Sequence, residues 1–287
     1  MKLIECIEAG AARLQAAGVA FGQGTLNAFD EAAWLTLWRL GLPLDALDDH
    51  AEDALTPGQQ AEVEALIGQR IATRQPAAYL TGEAWLQGVP FFIDQRSIVP
   101  RSFIAELIAE GSFDAWLGEH TQQVLDLCTG NGSLAVLAAM AWPDVQVTGA
   151  DLSADALAVA ARNVERHGLQ GRVRVVQGDG LAAVAGQRFD LVLCNPPYVN
   201  AQSMAALPPE FRAEPELALA GGSDGMDFIR RLLAELPAHL NAGGVLVLEI
   251  GHERPFFEAA FPELEPVWLE TSAGHDMVLL LTREQLA

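Results

Sequence analysis

Asn195-Pro196-Pro197-Tyr198 follows an apolar run, Phe189-Asp190-Leu191-Val192-Leu193-Cys194. The run has the length and composition of a buried strand. Two consecutive prolines stop such a strand and stiffen the chain beyond it. The Asn195 carboxamide and the Pro196 carbonyl are then carried past the strand end. An amide side chain offers one acceptor group and two donors, and the carbonyl is a second acceptor. Two converging acceptors beside an aromatic ring form a clamp for a planar –NH2 group. The four residues alone also fit a strand end closed by a Pro-Pro turn, so the reading depends on what lies upstream.

Three further strand ends carry polar residues. Val124-Leu125-Asp126-Leu127-Cys128 reads as a strand, Thr129-Gly130-Asn131-Gly132-Ser133 as a turn, and residues 134–141 as a helix. Gly130 and Gly132 allow a tight turn and a close approach of backbone to ligand. Ala135 completes a G-x-G-x-x-A pattern. A second strand, residues 145–150, ends at Asp151 and Leu152, with Asp151 or Ser153 capping the helix that follows. A carboxylate about twenty residues past the glycines can take both hydroxyls of a ribose. A third strand, residues 173–176, leads to Asp179 and Gly180. A carboxylate there can accept the exocyclic amine of adenine. Open parallel sheets bind ligands at this carboxyl edge. The glycine turn would hold a ligand backbone, Asp151 a ribose and Asp179 a base, leaving Asn195 to face the reacting centre. Dinucleotide oxidoreductases use the same glycine device, but the sequence holds no separate pocket for a nicotinamide.

The elements that must hold these ends form a βα series, preceded by a different kind of segment. Leu3, Ile4, Ile7, Ala11 and Leu14 recur at helical spacing. Asp30 is placed to cap a helix carrying Trp34, Leu37 and Trp38 on one face. Gly41-Leu42-Pro43 breaks it, and Thr56 with Pro57 opens another that runs to about Arg74. The pattern predicts a small helical bundle over residues 1–76. Aromatic and β-branched runs between Gly, Pro and Asp then predict a β-hairpin within residues 77–100. Ser102 caps a helix through Ile108. Beyond the clamp, residues 243–250 read as a strand, and Phe256 and Phe257 as helical. Residues 268–270 and 277–281 read as an antiparallel pair joined by a turn over 272–276, in which His275 is structural.

The chain has 287 residues, 51% of them hydrophobic, and a formal charge of −21 from 38 acidic and 17 basic residues. The length predicts about two domains. A field of that sign repels phosphates and attracts a basic partner, so direct nucleic-acid binding is not expected. Three widely spaced cysteines give neither a disulfide framework nor a zinc spacing. Cys128 and Cys194 are expected as small buried hydrophobes within strands. The six His residues form no His-Glu-x-x-His pattern, so no metal is expected. Glu5 and Glu8 interrupt the first apolar run, which is therefore not a signal peptide. No run of about 18 apolar residues is present to span a membrane. The reading is of a cytoplasmic protein without a membrane partner.

Asp126-Leu127-Cys128-Thr129-Gly130-Asn131-Gly132 together with Asn195-Pro196-Pro197-Tyr198 resembles the class I methyltransferases that use S-adenosylmethionine. Within them it resembles the HemK-type protein N5-glutamine methyltransferases. The resemblance continues through Glu214-Pro215-Glu216-Leu217-Ala218-Leu219 and Gly222-Ser223-Asp224-Gly225, and spans nearly the whole chain. Tyr79-Leu80-Thr81, Glu83-Ala84-Trp85 and Val99-Pro100-Arg101-Ser102 are similar to the branch acting on large-subunit ribosomal protein L-three; Phe103 stands where that branch has proline. The resemblance implies a Rossmann-like α/β domain over residues 101–287 with a seven-stranded, mostly parallel sheet. It also implies a helical substrate-docking domain over residues 1–76 and a hairpin linker over 77–100.

The resemblance implies S-adenosylmethionine as cofactor and S-adenosylhomocysteine as product. Asp126 and the turn Thr129, Gly130, Asn131 and Gly132 would hold the methionine moiety. Asp151, with Leu152, would hold the ribose, and Asp179 with Gly180 the adenine. Asn195, Pro196, Pro197 and Tyr198 would form the substrate clamp, with Asn195 also bordering the cofactor. In that clamp the asparagine side chain and proline carbonyl accept the two amide hydrogens, and the tyrosine packs against the flat amide. An amide nitrogen is a poor nucleophile because its lone pair is delocalised; accepting its hydrogens returns density to it. No metal and no dedicated general base are expected, and the proton leaves to solvent. A basic ribosomal protein suits the acidic field, with peptide-release factors the alternative substrate of the same chemistry. DNA adenine amino-methyltransferases carry a similar clamp but need a basic recognition segment, and this chain has a single lysine. A non-catalytic ribosome-assembly protein would show a degraded clamp or glycine turn.

Overall fold

Apolar residues at helical spacing build the first of two units. The computed structural model describes residues 1–118 and 120–286. α1 (Leu3–Ala16) buries Leu3, Ile7 and Leu14. α2 (Ala28–Leu40) buries Trp34, Leu35 and Leu37. A short α3 (Leu47–His50) leads to α4 (Pro57–Thr73), which buries Val63, Leu66 and Ile67. The α4 start is the expected one: Thr56 and Gln59 form a reciprocal capping box, with Pro57 in the first turn. The α2 start differs from expectation. Asn27, not Asp30, is the cap; its side chain accepts the Asp30 N–H at 2.9 Å. Asp30 instead lies in the first turn, where a carboxylate meets the positive end of the helix.

Residues 207–214 also belong to this unit. They bring in Glu210, whose side chain is fully buried. Its Oε1 lies 2.6 Å from Arg74 Nε and 3.5 Å from Arg70 Nη1, while Arg70 Nε lies 2.8 Å from Glu31. Arg70 also donates to the Ala20 carbonyl at 3.2 Å. Two acids and two bases thus compensate one another inside the bundle, as buried charge requires.

Residues 77–81, expected within the hairpin, form a helical turn, α5 (Ala77–Thr81), that Gly82 ends at φ +72°. The hairpin itself is shorter than expected, β1 (Glu83–Leu86) with β2 (Val89–Phe92), and the chain passes from the first unit to the second within β1.

The second unit runs in chain order through α6 (Phe103–Glu110), β3 (Gln123–Leu127), α7 (Ser133–Ala141), β4 (Gln146–Asp151), α8 (Ala154–Arg166), β5 (Val173–Gln177) and β6 (Phe189–Cys194). After α9 (Ala201–Ala206) and α10 (Pro209–Arg212), the latter in the first unit, come α11 (Asp227–Glu235), β7 (Leu240–Glu249), α12 (Arg254–Ala260), β8 (Val267–Thr271) and β9 (Gly274–Thr282). The sheet has seven strands in the order β5-β4-β3-β6-β7-β9-β8, parallel except for β9.

The strands are apolar on both faces because helices cover both. Val124, Leu191, Leu193, Val245 and Val247 face the core shared with α6 and α7. Leu125, Leu127, Val192, Cys194, Leu246 and Leu248 face the core shared with α11 and α12. Two expectations change. His275 lies in β9, exposed and 3.5 Å from Glu270, because the connecting turn is only Ser272 and Ala273. Cys194 is a buried strand residue, but Cys128 lies past the end of β3 at φ +61°, where the chain must turn sharply. Among the described residues no helix is long and apolar enough to cross a membrane.

Candidate active site

The strand order decides how the polar ends are arrayed. β5, β4, β3 and β6 are consecutive neighbours, so Asp179, Asp151, the turn 129–132 and Asn195 follow one another along one sheet edge. At about 4.8 Å per strand, the row extends roughly 14 Å. That span suits a nucleoside with a tail, its base at Asp179 and its far end at Asn195. A cavity of about 760 Å³ lies along this edge. Gly130, Asp151, Leu152, Asp179, Gly180, Asn195 and Pro197 line it. Asp126, Thr129, Asn131, Gly132, Pro196 and Tyr198, also expected at the site, stand outside its wall.

Asp126 braces the turn from behind. Its side chain is fully buried and accepts the Thr129 hydroxyl and, at 2.9 Å, the Ala135 N–H at the start of α7. Gly149 makes room for this, since a Cβ there would lie 2.9 Å from Thr129 Oγ1. Gly132, at φ +78°, lets the turn approach α8, where a Cβ would come 3.0 Å from that of Ala160. Burial pushes the Asp126 carboxyl up to about 7, against the lowering effect of its two hydrogen bonds.

Asp151 closes the next position. It accepts the Gly130 N–H at 2.9 Å on one oxygen and the Ser153 N–H at 2.8 Å on the other. Burial raises its pKa and backbone hydrogen bonds oppose the rise. Ser153 caps α8, settling the alternative left by the sequence. Asp179 is half-exposed and paired with Arg231 through two contacts of 3.0 Å, which hold its carboxyl below the usual range. Those contacts leave acceptor sites on both carboxylates.

Several contributors were not marked by the sequence. Arg96, Ser97 and Ile98 line the cavity from the loop after the hairpin, with Arg96 doubly bonded to Asp94. Leu217, 56% exposed, and Phe228 with Arg231 line it from the loop and helix after the clamp. Asn163 on α8 is fully buried. It donates to the Asn131 carbonyl at 2.8 Å and exchanges hydrogen bonds of 2.7 and 3.0 Å with the Phe92 backbone, tying the glycine turn to the hairpin. Hairpin residues could have been suspected from their place before the βα series; Asn163 carried no local signal.

The buried carboxyls have a measurable consequence. Asp126 and Glu249, the last residue of β7, both sit at about 7 in the fold, raised by burial, against roughly 3.9 and 4.3 in an unfolded chain. The folded state therefore binds more protons between about pH 4 and 7, and stability falls as pH rises through that window. We expect the denaturant midpoint to drop from pH 5 to pH 8, each group contributing on the order of a few kcal/mol. D126N should flatten part of the slope. An unchanged slope in D126N would show that Asp126 is already ionised at pH 5.

Comparison with known proteins adds independent observations. A family model described as "Methyltransferase small domain" matches residues 113–223, and one described as "PrmC N-terminal domain" matches residues 5–82. The chain is 54% identical over 286 residues to the ribosomal protein uL3 glutamine methyltransferase of Bordetella pertussis (strain Tohama I), covering 99% of this chain and 96% of that one. It is 50% identical over 283 residues to the ribosomal protein uL3 glutamine methyltransferase of Burkholderia pseudomallei (strain K96243), covering 96% and 92%. Among solved structures, the hMettl16 catalytic domain, in complex with MAT2A 3'UTR hairpin 6, matches with a TM-score of 0.52 at 14% identity, over 79% of this chain and 81% of that one. That likeness is one of fold alone.

Proposed function

The chain belongs to the family of ribosomal protein uL3 glutamine methyltransferases, and from that premise we propose that it methylates the side-chain amide nitrogen of a glutamine in ribosomal protein uL3, using S-adenosylmethionine. The observation that carries this reading is the row Asp179, Asp151, glycine turn, Asn195 along one sheet edge.

The cavity suits the cofactor in size and in donors. Gly130 and Gly132, both at positive φ, leave two of the four turn positions without a Cβ, and the wall holds the carboxylates of Asp151 and Asp179 as well as those of Glu216 and Asp227. Asp151 would take the ribose hydroxyls, and Asp179 the adenine amine, with Leu152 and Phe228 offering apolar faces to the base. The turn 129–132, braced by Asp126, would hold the methionine part. S-adenosylmethionine, when bound, supplies a methyl group activated by a sulfonium.

The chain's own residues do the rest. Asn195 Oδ1 and the Pro196 carbonyl accept the two hydrogens of the glutamine amide. This orients the amide plane and returns electron density to its nitrogen. The nitrogen lone pair would form the bond to the methyl carbon as the carbon–sulfur bond breaks and its electron pair stays on sulfur, leaving S-adenosylhomocysteine. The nitrogen then loses one hydrogen as a proton, which passes to water. Alignment of this kind supplies up to about 7–11 kcal/mol in the best intramolecular reactions. The formal charge of −21 favours approach of a basic protein substrate. The helical unit, carrying no pattern of reactive residues, serves as the docking element for it.

Labelled S-adenosylmethionine offered with unmethylated uL3, a peptide-release factor and adenine-rich DNA tests the reading. We expect label on uL3 alone. Label on the release factor would keep the chemistry and move the substrate. Label on DNA would overturn the substrate class.

A further inference from the structure

We infer that Glu249 is a positioning residue of the clamp, acting through the Tyr198 hydroxyl. The inference rests on the glutamine-methylation reading above and names a residue that reading leaves without a role.

Glu249 ends β7, the strand beside β6. Cys194 pairs with Leu248, so Glu249 stands level with Asn195, one residue past the pair. Its carboxylate is 2% exposed. One oxygen, Oε2, accepts the Ser102 hydroxyl at 2.5 Å and the Phe103 N–H at 2.9 Å, at the N-terminus of α6. These contacts fix the carboxylate. The other oxygen, Oε1, accepts the Tyr198 hydroxyl at 3.4 Å. That is long for such a bond, whose usual length is about 2.7–2.8 Å. It is therefore the contact with room to shorten when the clamp closes on an amide.

The surroundings of Tyr198 point the same way. Three glycines make its slot: a Cβ on Gly251 would lie 2.6 Å from ring Cε2, and one on Gly221 would lie 2.7 Å from Tyr198 Cα. A Cβ on Gly225 would collide with the Tyr198 carbonyl oxygen. Packing thus confines the backbone and ring, and Glu249 fixes the polar end. Among charged neighbours, Arg101 favours ionisation of both groups and Glu253 opposes it at Tyr198. Glu253 is itself bonded to Asn200 at 2.8 and 3.0 Å. Burial keeps the phenol protonated and able to donate.

A carboxylate that only caps α6 would affect stability and leave turnover of folded enzyme alone. A double-mutant cycle separates the two. Wild type, E249Q, Y198F and the double variant are compared for kcat on uL3, for S-adenosylhomocysteine affinity by calorimetry, and for melting. We expect E249Q to lower kcat by about tenfold, with affinity for the product within about twofold. In the Y198F background, E249Q should lower kcat no further, while still lowering the melting temperature. An equal loss in both backgrounds, or an unchanged kcat in E249Q, overturns the inference. Should E249Q not fold, Ser102→Ala loosens the carboxyl group while leaving the Glu249 side chain itself in place, and the same coupling to Y198F is read. Wild type that fails to label uL3 would instead sink the functional reading, whatever the variants do.

Discussion

Asn195→Ala lowers methyl transfer to uL3 by about 10²–10³-fold, the loss typical when one preorganised polar contact to a reacting group is removed. In the proposed clamp the alanine would leave Pro196 as the remaining acceptor, so the glutamine amide would keep one hydrogen bond and lose its fixed plane. Both effects act on alignment and on nitrogen basicity, and both appear in kcat. Asn195 also borders the cavity, beside Pro197. Its contribution to cofactor affinity is one contact among many, so S-adenosylhomocysteine should bind within about fivefold of wild type. Single-turnover labelling at saturating cofactor separates the two quantities. A fall in cofactor affinity that accounts for the whole rate loss would show that Asn195 serves the cofactor and not the amide.

Arg70→Ala removes about 3–5 kcal/mol from the stability of the helical unit. Arg70 is 1% exposed and lies 2.8 Å from Glu31 and 3.5 Å from Glu210, themselves 3% and 0% exposed. Without it Glu31 keeps, among the described residues, the Thr25 hydroxyl as its side-chain hydrogen-bond partner, and Glu210 keeps Arg74. Burial already raises the Glu31 carboxyl, and Arg70 is the first influence opposing that rise. Loss of Arg70 should push the Glu31 carboxyl up further and so favour its protonated form. Amide exchange in α2 and α4 reads this unit separately from the sheet. A loss of protection worth under 1 kcal/mol would mean that water or Arg74 takes over the charge. Replacing Glu31, Arg70 and Glu210 together by neutral side chains of similar size should cost far less than Arg70→Ala.

The site was legible where chemistry is continuous with a strand. Asp151, Asp179 and Asn195 each follow a short apolar run, so a linear reading places them at one edge. The strand order that sets them in a row is a matter of pairing, and sequence gave it only through family resemblance. Residues that act across the fold were invisible. Glu249 reads as the end of one more apolar strand, and its partners Ser102 and Tyr198 are 147 and 51 positions away. Asn163 sits within an ordinary amphipathic helix. Glu210 looks like any surface acid until residues 207–214 are seen to pack with the first unit. Local competition explains the smaller misses. Asn27 and Asp30 are both good caps, three residues apart, and only the extended backbone at Asn27 decides between them. Residues 77–81 have strand-like composition but are bounded by Pro76 and Gly82, which favour a single helical turn.

The excursion of residues 207–214 bears on how such a chain can be divided or recombined. The first unit is not a contiguous stretch: it needs a segment more than a hundred residues downstream, and that segment carries the acid that satisfies Arg74. A fragment ended at residue 84 would have Arg74 without Glu210. Swapping the amino-terminal region between relatives would therefore require transplanting two pieces of sequence, matched to each other in charge. Inheritance in this family is then expected to couple positions 70, 74 and 210, whatever drift occurs in the stretch between them.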